Sequence, residues 1–194
     1  MGDQVHRDMT ILFSDIRSFT SITEKLSAKE SFAFLNQFLE CIMPAITSNG
    51  GFIDKYIGDA IMALFPTDPE DAIIAAIEIQ NRLKEYNAGR ETADKEKIKI
   101  GVGIHTGPLM LGTIGVKDRM DGTVISDAVN LASRLEQLNK HYGTLMIGSH
   151  STVQKLSKPE TYNFRFLSYA RVKEKKMPLW CMNFLTGMKF MTGT

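Results

Sequence analysis

What this 194-residue chain lacks narrows it first. Cysteine is scarce: there are only Cys41 and Cys181, each in an apolar segment and neither at a metal-ligand spacing. That excludes a disulfide framework and a cysteine-built zinc site. It reads as two reduced core thiols in a cytosolic setting, so a cytoplasmic location is expected. Long apolar runs are missing too, and nothing in the sequence is suited to span a bilayer. The opening "MGDQVHRDMT" has no apolar run of the signal-peptide kind and passes at once into a strand. The expectation is a catalytic or regulatory module cut from a longer protein. Charge of one sign is not in excess: 23 Lys plus Arg stand against 22 Asp plus Glu, net +1. That balance gives no global reason to expect nucleic-acid or membrane binding. Internal repeats and low-complexity tracts are absent, and so is the phosphate-cradling pattern GxxxxGK[ST].

What is present is an ordinary globular composition, 43% hydrophobic and 23% charged. It suits a single domain over residues 1–194 with a core at about 9–185. Residues 9–16, "MTILFSDI", read as a buried strand. Ser27 with Glu30 three residues on is a capping box that opens a helix. Phe32, Leu35, Leu39, Ile42 and Ile46 form its apolar face. Pro44 kinks that helix or starts its last turn, and Gly50 with Gly51 stops it. Residues 50–65, "GGFIDKYIGDAIMALF", read as a buried hairpin turning at 57–59. A helix over 69–87 and a polar loop over 89–97 follow. Residues 98–115 predict a second hairpin, turning at 105–108. A third helix covers 126–143, then a short strand "TLMIGS", a short helix "HSTVQKL", and strands around 164–172 and 179–185. The front half is β-α-β-β-α-β, the ferredoxin-like pattern. The fold expected is α+β, a mainly antiparallel sheet with helices on one side and additional C-terminal strands and helices.

Charge inside the first hairpin needs a reason, because unpaired charge in an apolar setting costs free energy. Asp15 lies near the end of the first strand and Asp59 at the hairpin tip. In a ferredoxin-like core those strands are central neighbours, so the topology brings both carboxylates to one end of the sheet. Singly, each has a structural reading: Asp15 as the cap of a helical turn in "SDIRSFTSI", Asp59 as a turn residue. Jointly they repel unless a cation neutralises them, and hard oxygen ligands suit Mg²⁺ or Mn²⁺. Paired acidic residues that bridge two metals serve chemistry at phosphorus. Lys55 is either one half of a surface ion pair with Asp54 or Asp59, or a donor to a ligand base or phosphate. Asn130 and Arg134, four apart, share a helix face that can hold a ribose and a phosphate. By spacing alone, a solvated face with Arg134 against Glu136 or Asp127 is the simpler reading. His105 reads as a packed turn histidine rather than a catalytic base.

Taken together, "LFSDIRSFT", "GGFIDKYIGDAIMALF", "GVGIHTGPLMLGTIG", "DGTVISDAVNLASRLE" and "VKEKKMPLW" resemble the successive motifs of class III nucleotidyl cyclases. The resemblance runs from about residue 9 to 185. It implies a ferredoxin-like core with extra strands, and a homodimer with active sites in the cleft between two catalytic domains. It gives Asp15 and Asp59 as metal ligands, assisted by the Ile16 carbonyl. The cofactors implied are two divalent cations, Mg²⁺ or Mn²⁺, with Ca²⁺ admissible at one position. Lys55 and Thr123 are implied as purine readers and Asn130 as the residue that orients the ribose. Arg134 would stabilise the transition state at the α-phosphate, and Lys173 would hold the terminal phosphates. One protomer would supply the metal ligands and its partner the rest.

Base choice has a physical argument of its own. Lysine donates and a threonine hydroxyl can accept, which complements N1 and N6 of adenine. Guanine calls for an acidic or amide partner, and guanylate cyclases of this family typically carry Glu where Lys55 stands. ATP is therefore the expected substrate, and adenylate cyclase the expected activity. The Lys55–Thr123 pairing resembles a branch that includes bicarbonate-responsive enzymes, which makes bicarbonate a candidate partner beside the regulatory domains of a longer chain. Four positions depart from the common pattern: Thr123, where many adenylate cyclases carry Asp, Gly101, where some members carry a phosphate-binding arginine, Glu174, and Ser126. The alternatives are a guanylate cyclase, a diguanylate cyclase (disfavoured by the absence of "GGDEF"), or a non-catalytic module that dimerises and regulates a neighbour.

Overall fold

In the computed structural model, which describes residues 5–92, 95–116, 119–172 and 175–182, the first strand is β1 (Val5–Ile16). It is buried on both faces from Met9 to Phe13. A strand with no polar face must be covered twice. Met9, Ile11 and Phe13 pack with Met62, Leu64, Ala128 and Ala132 on one side. Leu12 and Ile16 join Phe34, Phe38, Ile42, Ala76 and Ile79 on the other. Helices therefore cover both faces of the sheet, not one as expected. The α2 (Ala28–Thr47) and α3 (Pro69–Thr92) helices lie on one face, and α4 (Asp127–Tyr142) lies on the other.

Among the described residues, one sheet gathers β1, β2 (Phe52–Ile57), β3 (Ala60–Phe65), β4 (Ile100–Val116), β5 (Arg119–Ile125), β6 (Met146–Ser149), β7 (Phe164–Val172) and β8 (Lys175–Met182). Its order is β2-β3-β1-β4-β6-β8-β7, with β5 paired to β4 off that path. The β2-β3-β1-β4 portion is antiparallel throughout and is the ferredoxin-like core. The parallel β4–β6 ladder makes the whole sheet mixed. Two short helices, α1 (Phe19–Thr23) and α5 (His150–Gln154), complete the order.

The hairpin expected to turn at 105–108 is not there. β4 runs straight through, with an unbroken antiparallel register to β1 from Ile16↔Ile100 to Val5↔Leu111. Pro108 lies between the β4 stretch that pairs with β6, 102–104, and the stretch that pairs with β5, 110–116. A proline is tolerated where a ladder is interrupted. The second hairpin is instead β4 with β5.

Other departures have local causes. In α2 the capping box forms, with the Ser27 amide donating to Glu30 Oε2 at 2.8 Å. The buried stripe is Phe34, Phe38, Ile42, Ala45 and Ile46, so Phe32, two residues from Phe34, points away and is exposed. α3 continues past Gly89, since a helical glycine costs only about 1 kcal/mol, and Asn87 secures the returning chain with both of its amide atoms on Ile98 at 2.7 Å. The first hairpin is buried on β3 only. On the edge strand β2, Phe52, Tyr56 and Ile57 are exposed. The last strand, Lys175–Met182, starts four residues before the expected 179, and residues 183–185 of that expectation lie outside the described residues. Cys41 is a free, half-buried thiol, and burial pushes its pKa up. Among the described residues no helix is long and apolar enough to cross a membrane.

Candidate active site

Asp15 is the penultimate residue of β1, and Asp59 sits in the two-residue turn between β2 and β3. Gly58 permits that turn with φ +64. The register Ser14↔Ile61 carries the end of β1 alongside the start of β3. The Ile16 amide then donates to Asp59 Oδ2 at 3.3 Å. Asp15 does not cap the following helix, whose N-cap is Ser18 without a side-chain bond.

The Asp59 carboxylate is disturbed by its surroundings. Burial raises the Asp59 pKa first, and the hydrogen bond and negative charge of Asp15 raise it further, to about 7. A partly desolvated carboxylate held beside a second one is a poor arrangement for folding and a good one for a hard divalent cation. Among the described residues no three His, Cys, Asp or Glu side chains gather to hold a metal. Two carboxylates and a main-chain carbonyl at a strand end nevertheless fit Mg²⁺ or Mn²⁺, which retain water and substrate-phosphate ligands.

Lys55 stands on β2 beside a register shift between Ile53 and Lys55. Its Nζ is 3.2 Å from Asp54 Oδ2, and its side chain is 37% exposed. Of the two partners the sequence offered Lys55, Asp54 is the one it pairs with. The Asp54 side chain is only 13% exposed, so the pair joins a largely buried carboxylate to a partly exposed ammonium that can reach a ligand.

Asn130 and Arg134 lie exposed on α4, one turn apart. Ser126 caps that helix, accepting from the Ala128 amide at 2.9 Å and donating to the Pro108 carbonyl at 2.6 Å. The departure at Ser126 therefore pins the start of α4 to the interrupted stretch of β4. Farther along, a Cβ on Gly103 would strike the main chain of Ala132 and Glu136. Glycine there lets the helix lie directly on the sheet.

One pair escaped the sequence reading. Glu136 is not a surface contact but is buried, 2.7 Å from Arg17 Nη1. Arg17 Nη2 also donates to the Glu136 carbonyl at 3.0 Å. Burial raises the Glu136 pKa to about 7; Arg17 opposes the shift, while Asp15 and Asp59 add to it. The guanidinium lies over Gly101, where any Cβ would overlap it. The missing side chain at Gly101 was the available signal.

His105 is packed, as expected, but in a strand rather than a turn. Its Nδ1 is 2.7 Å from Ser149 Oγ, and burial lowers its pKa to about 4. The main chain of Thr123 pairs with Gly112, while its side chain lies outside the described residues. Lys173 and Glu174 also lie outside them. The described structure thus joins Asp15, Ile16 and Asp59 at one sheet end, leaves Lys55 with Asp54, and presents Asn130 and Arg134 on α4.

Known proteins share the sequence pattern and the fold of this chain. Residues 1–184 match the family model described as the adenylate and guanylate cyclase catalytic domain. A protein of Anabaena cylindrica named adenylate cyclase is 47% identical over 181 residues, which is 90% of this chain and 36% of that protein. The chain therefore spans about a third of that relative's length. The fold overlays a bacterial light-regulated adenylyl cyclase with TM-score 0.85 and 27% identity, covering 93% of this chain and 52% of that one. It overlays the guanylyl cyclase Cya2 with TM-score 0.79 and 29% identity, covering 94% of each.

Proposed function

Since this chain belongs to the family of class III adenylate and guanylate cyclase catalytic domains, we propose that it converts ATP to 3′,5′-cyclic AMP and pyrophosphate. The observation that carries the reading is the Asp15–Asp59 pair at one sheet end, where the Ile16 amide donates to Asp59 Oδ2 at 3.3 Å and burial, with Asp15 beside it, raises the Asp59 pKa to about 7. Asp15, Asp59 and the Ile16 carbonyl hold two divalent cations, Mg²⁺ or Mn²⁺, with Ca²⁺ acceptable at one position. When bound, the cations supply acidity to the ribose 3′-hydroxyl and neutralise charge on the triphosphate.

The remaining residues bind and orient. Lys55 donates to N1 of adenine, and the Thr123 hydroxyl accepts from N6. Asn130 orients the ribose so that its 3′-oxygen faces the α-phosphorus in line with the bond to the leaving pyrophosphate. Arg134 meets the charge that grows on the α-phosphate. Lys173 holds the terminal phosphates.

The site is shared. One protomer contributes Asp15, Ile16 and Asp59; its partner contributes Lys55, Thr123, Asn130, Arg134 and Lys173. A two-fold dimer then carries two equivalent sites. Two observations support sharing: Lys55 pairs with Asp54 and not with Asp59, and Phe52, Tyr56 and Ile57 lie exposed on the edge strand that carries Lys55.

Purified protein given ATP and, separately, GTP with Mg²⁺ or Mn²⁺ tests the reading, with products separated by chromatography. Cyclic AMP is expected, with GTP turned over at least about tenfold more slowly. A predominance of cyclic GMP would overturn the substrate, and no product from either would overturn catalysis. An arm with added bicarbonate reads the response that the Lys55–Thr123 pairing implies.

A further inference from the structure

Beneath the middle of α4, strand β4 presents no side chain at Gly101 or Gly103. Into that bare patch Arg17 reaches from just beyond Asp15. Its guanidinium holds Glu136 twice, through the side chain at 2.7 Å and the main-chain carbonyl at 3.0 Å. The hydrogen bond to the main chain sets direction, and the ion pair beside it sets distance. The side chain of Glu136 is 4% exposed and that of Arg17 22%, so water competes weakly for the pair. Glu136 follows Arg134 by two residues, about 200° around the helix. A helix that lifts or rolls at Glu136 therefore swings Arg134 through solvent.

The strand end does not depend on this grip. Asp15 and Ile16 are held by the ladder to Gly101 and Ile100, Asp59 accepts the Ile16 amide, and the Arg17 amide donates to the Lys99 carbonyl at 2.8 Å. Among the described residues α4 is also tethered to the sheet near its two ends: Ser126 on Pro108, and Asn139, whose Nδ2 donates to the Val102 carbonyl at 2.9 Å. The Asn139 tether lands opposite Ser14, one residue from Asp15, and Arg17 adds to it a hold on the helix from the strand end itself.

We propose that Arg17 and Glu136 are positioning residues for the α4 half of the active site, fixing the height and rotation of the helix that presents Asn130 and Arg134. This rests on the shared-site reading above. Because the two halves of one protomer serve different sites, a variant can be placed on either side of the chemistry.

Heterodimers of an Asp59→Ala chain, which keeps the α4 half, with an Arg134→Ala chain, which keeps the metal half, contain one whole site. They are purified through two different tags, and Arg17→Met is added to one chain or the other. On the Asp59→Ala chain it should lower kcat by about tenfold or more, with KM for ATP changing less. On the Arg134→Ala chain kcat should stay within about threefold. Arg17→Lys keeps the charge but not the fork, and should give the same asymmetry with a smaller loss, so a folding failure of the Met variant does not hide the answer. In metal-free homodimers, Arg17→Met should speed amide exchange over residues 128–138 and leave 10–15 unchanged. Equal losses in both arrangements, or a larger loss on the metal-half chain, overturns the assignment and leaves the shared site standing. Silence of the heterodimer with Arg17 intact overturns the shared site, and this inference with it.

Discussion

The Ile16 amide donates to Asp59 Oδ2 at 3.3 Å, tying a hairpin turn to the strand end that carries Asp15. That bond keeps two carboxylates in company that neither favours alone. Asp15→Ala and Asp59→Ala are each expected to lower cyclic AMP production by about a thousandfold or more, while the native mass stays that of a dimer. Asp59→Asn should also raise the melting temperature of metal-free protein at pH 8, because it removes one of two like charges. A lower melting temperature would mean that the pair stabilises the fold.

The same pair makes stability depend on pH. The folded-state pKa of Asp59 is raised from 3.8 to about 7, so the folded chain binds this proton more tightly than the unfolded chain. Its contribution is fully present below about pH 4 and is lost as pH rises through about 7. A cation replaces the proton above that point. The increase in melting temperature on adding Mg²⁺ should therefore be larger at pH 8 than at pH 6, and a larger increase at pH 6 would contradict the metal assignment.

His105 carries the opposite sign. Its pKa falls from 6.5 to about 4 in the fold, chiefly through burial. The stability of the neutral ring is present above pH 6.5 and is lost as pH falls through about 4, on the order of 3 kcal/mol in all. Urea midpoints at pH 7 and pH 4.5 should fall less in His105→Gln than in the native chain. Equal falls would show that the ring charges without cost.

Lys55 is the residue on which base choice turns. Its side chain is 37% exposed but that of its partner Asp54 is 13% exposed, so the melting temperature of each variant is read beside its activity. Lys55→Glu should lower turnover of ATP and raise the GTP-to-ATP ratio by about tenfold or more. An unchanged ratio would remove Lys55 from the purine site.

Legibility in the sequence followed how local the cause was. The capping box at Ser27 and Glu30, the turn at Gly58 and the ends of α4 at Ser126 and Gly143 are local, and they stand where the residues place them. The meeting of Asp15 with Asp59 was legible because a ferredoxin-like order makes β1 and β3 neighbours. The straight run of β4 was not. Gly107 and Pro108 carry turn chemistry, and only the ladder to β1 overrides it. The covering of both sheet faces is hidden too, since the unbroken apolar run in β1 declares burial but not what lies on each side. Arg17 with Glu136 is separated by 119 positions. No local pattern announces such a pair, and the absent side chain at Gly101 acquires meaning only once α4 lies over it.

The central claim is that each site is built from two chains, and mixing two dead variants tests it most directly. Asp59→Ala homodimers and Arg134→Ala homodimers should each be inactive. After verified subunit exchange, their heterodimer holds one intact site and should recover cyclic AMP production to as much as about half the native rate per dimer. No recovery in a heterodimer shown to contain both chains would contradict the account.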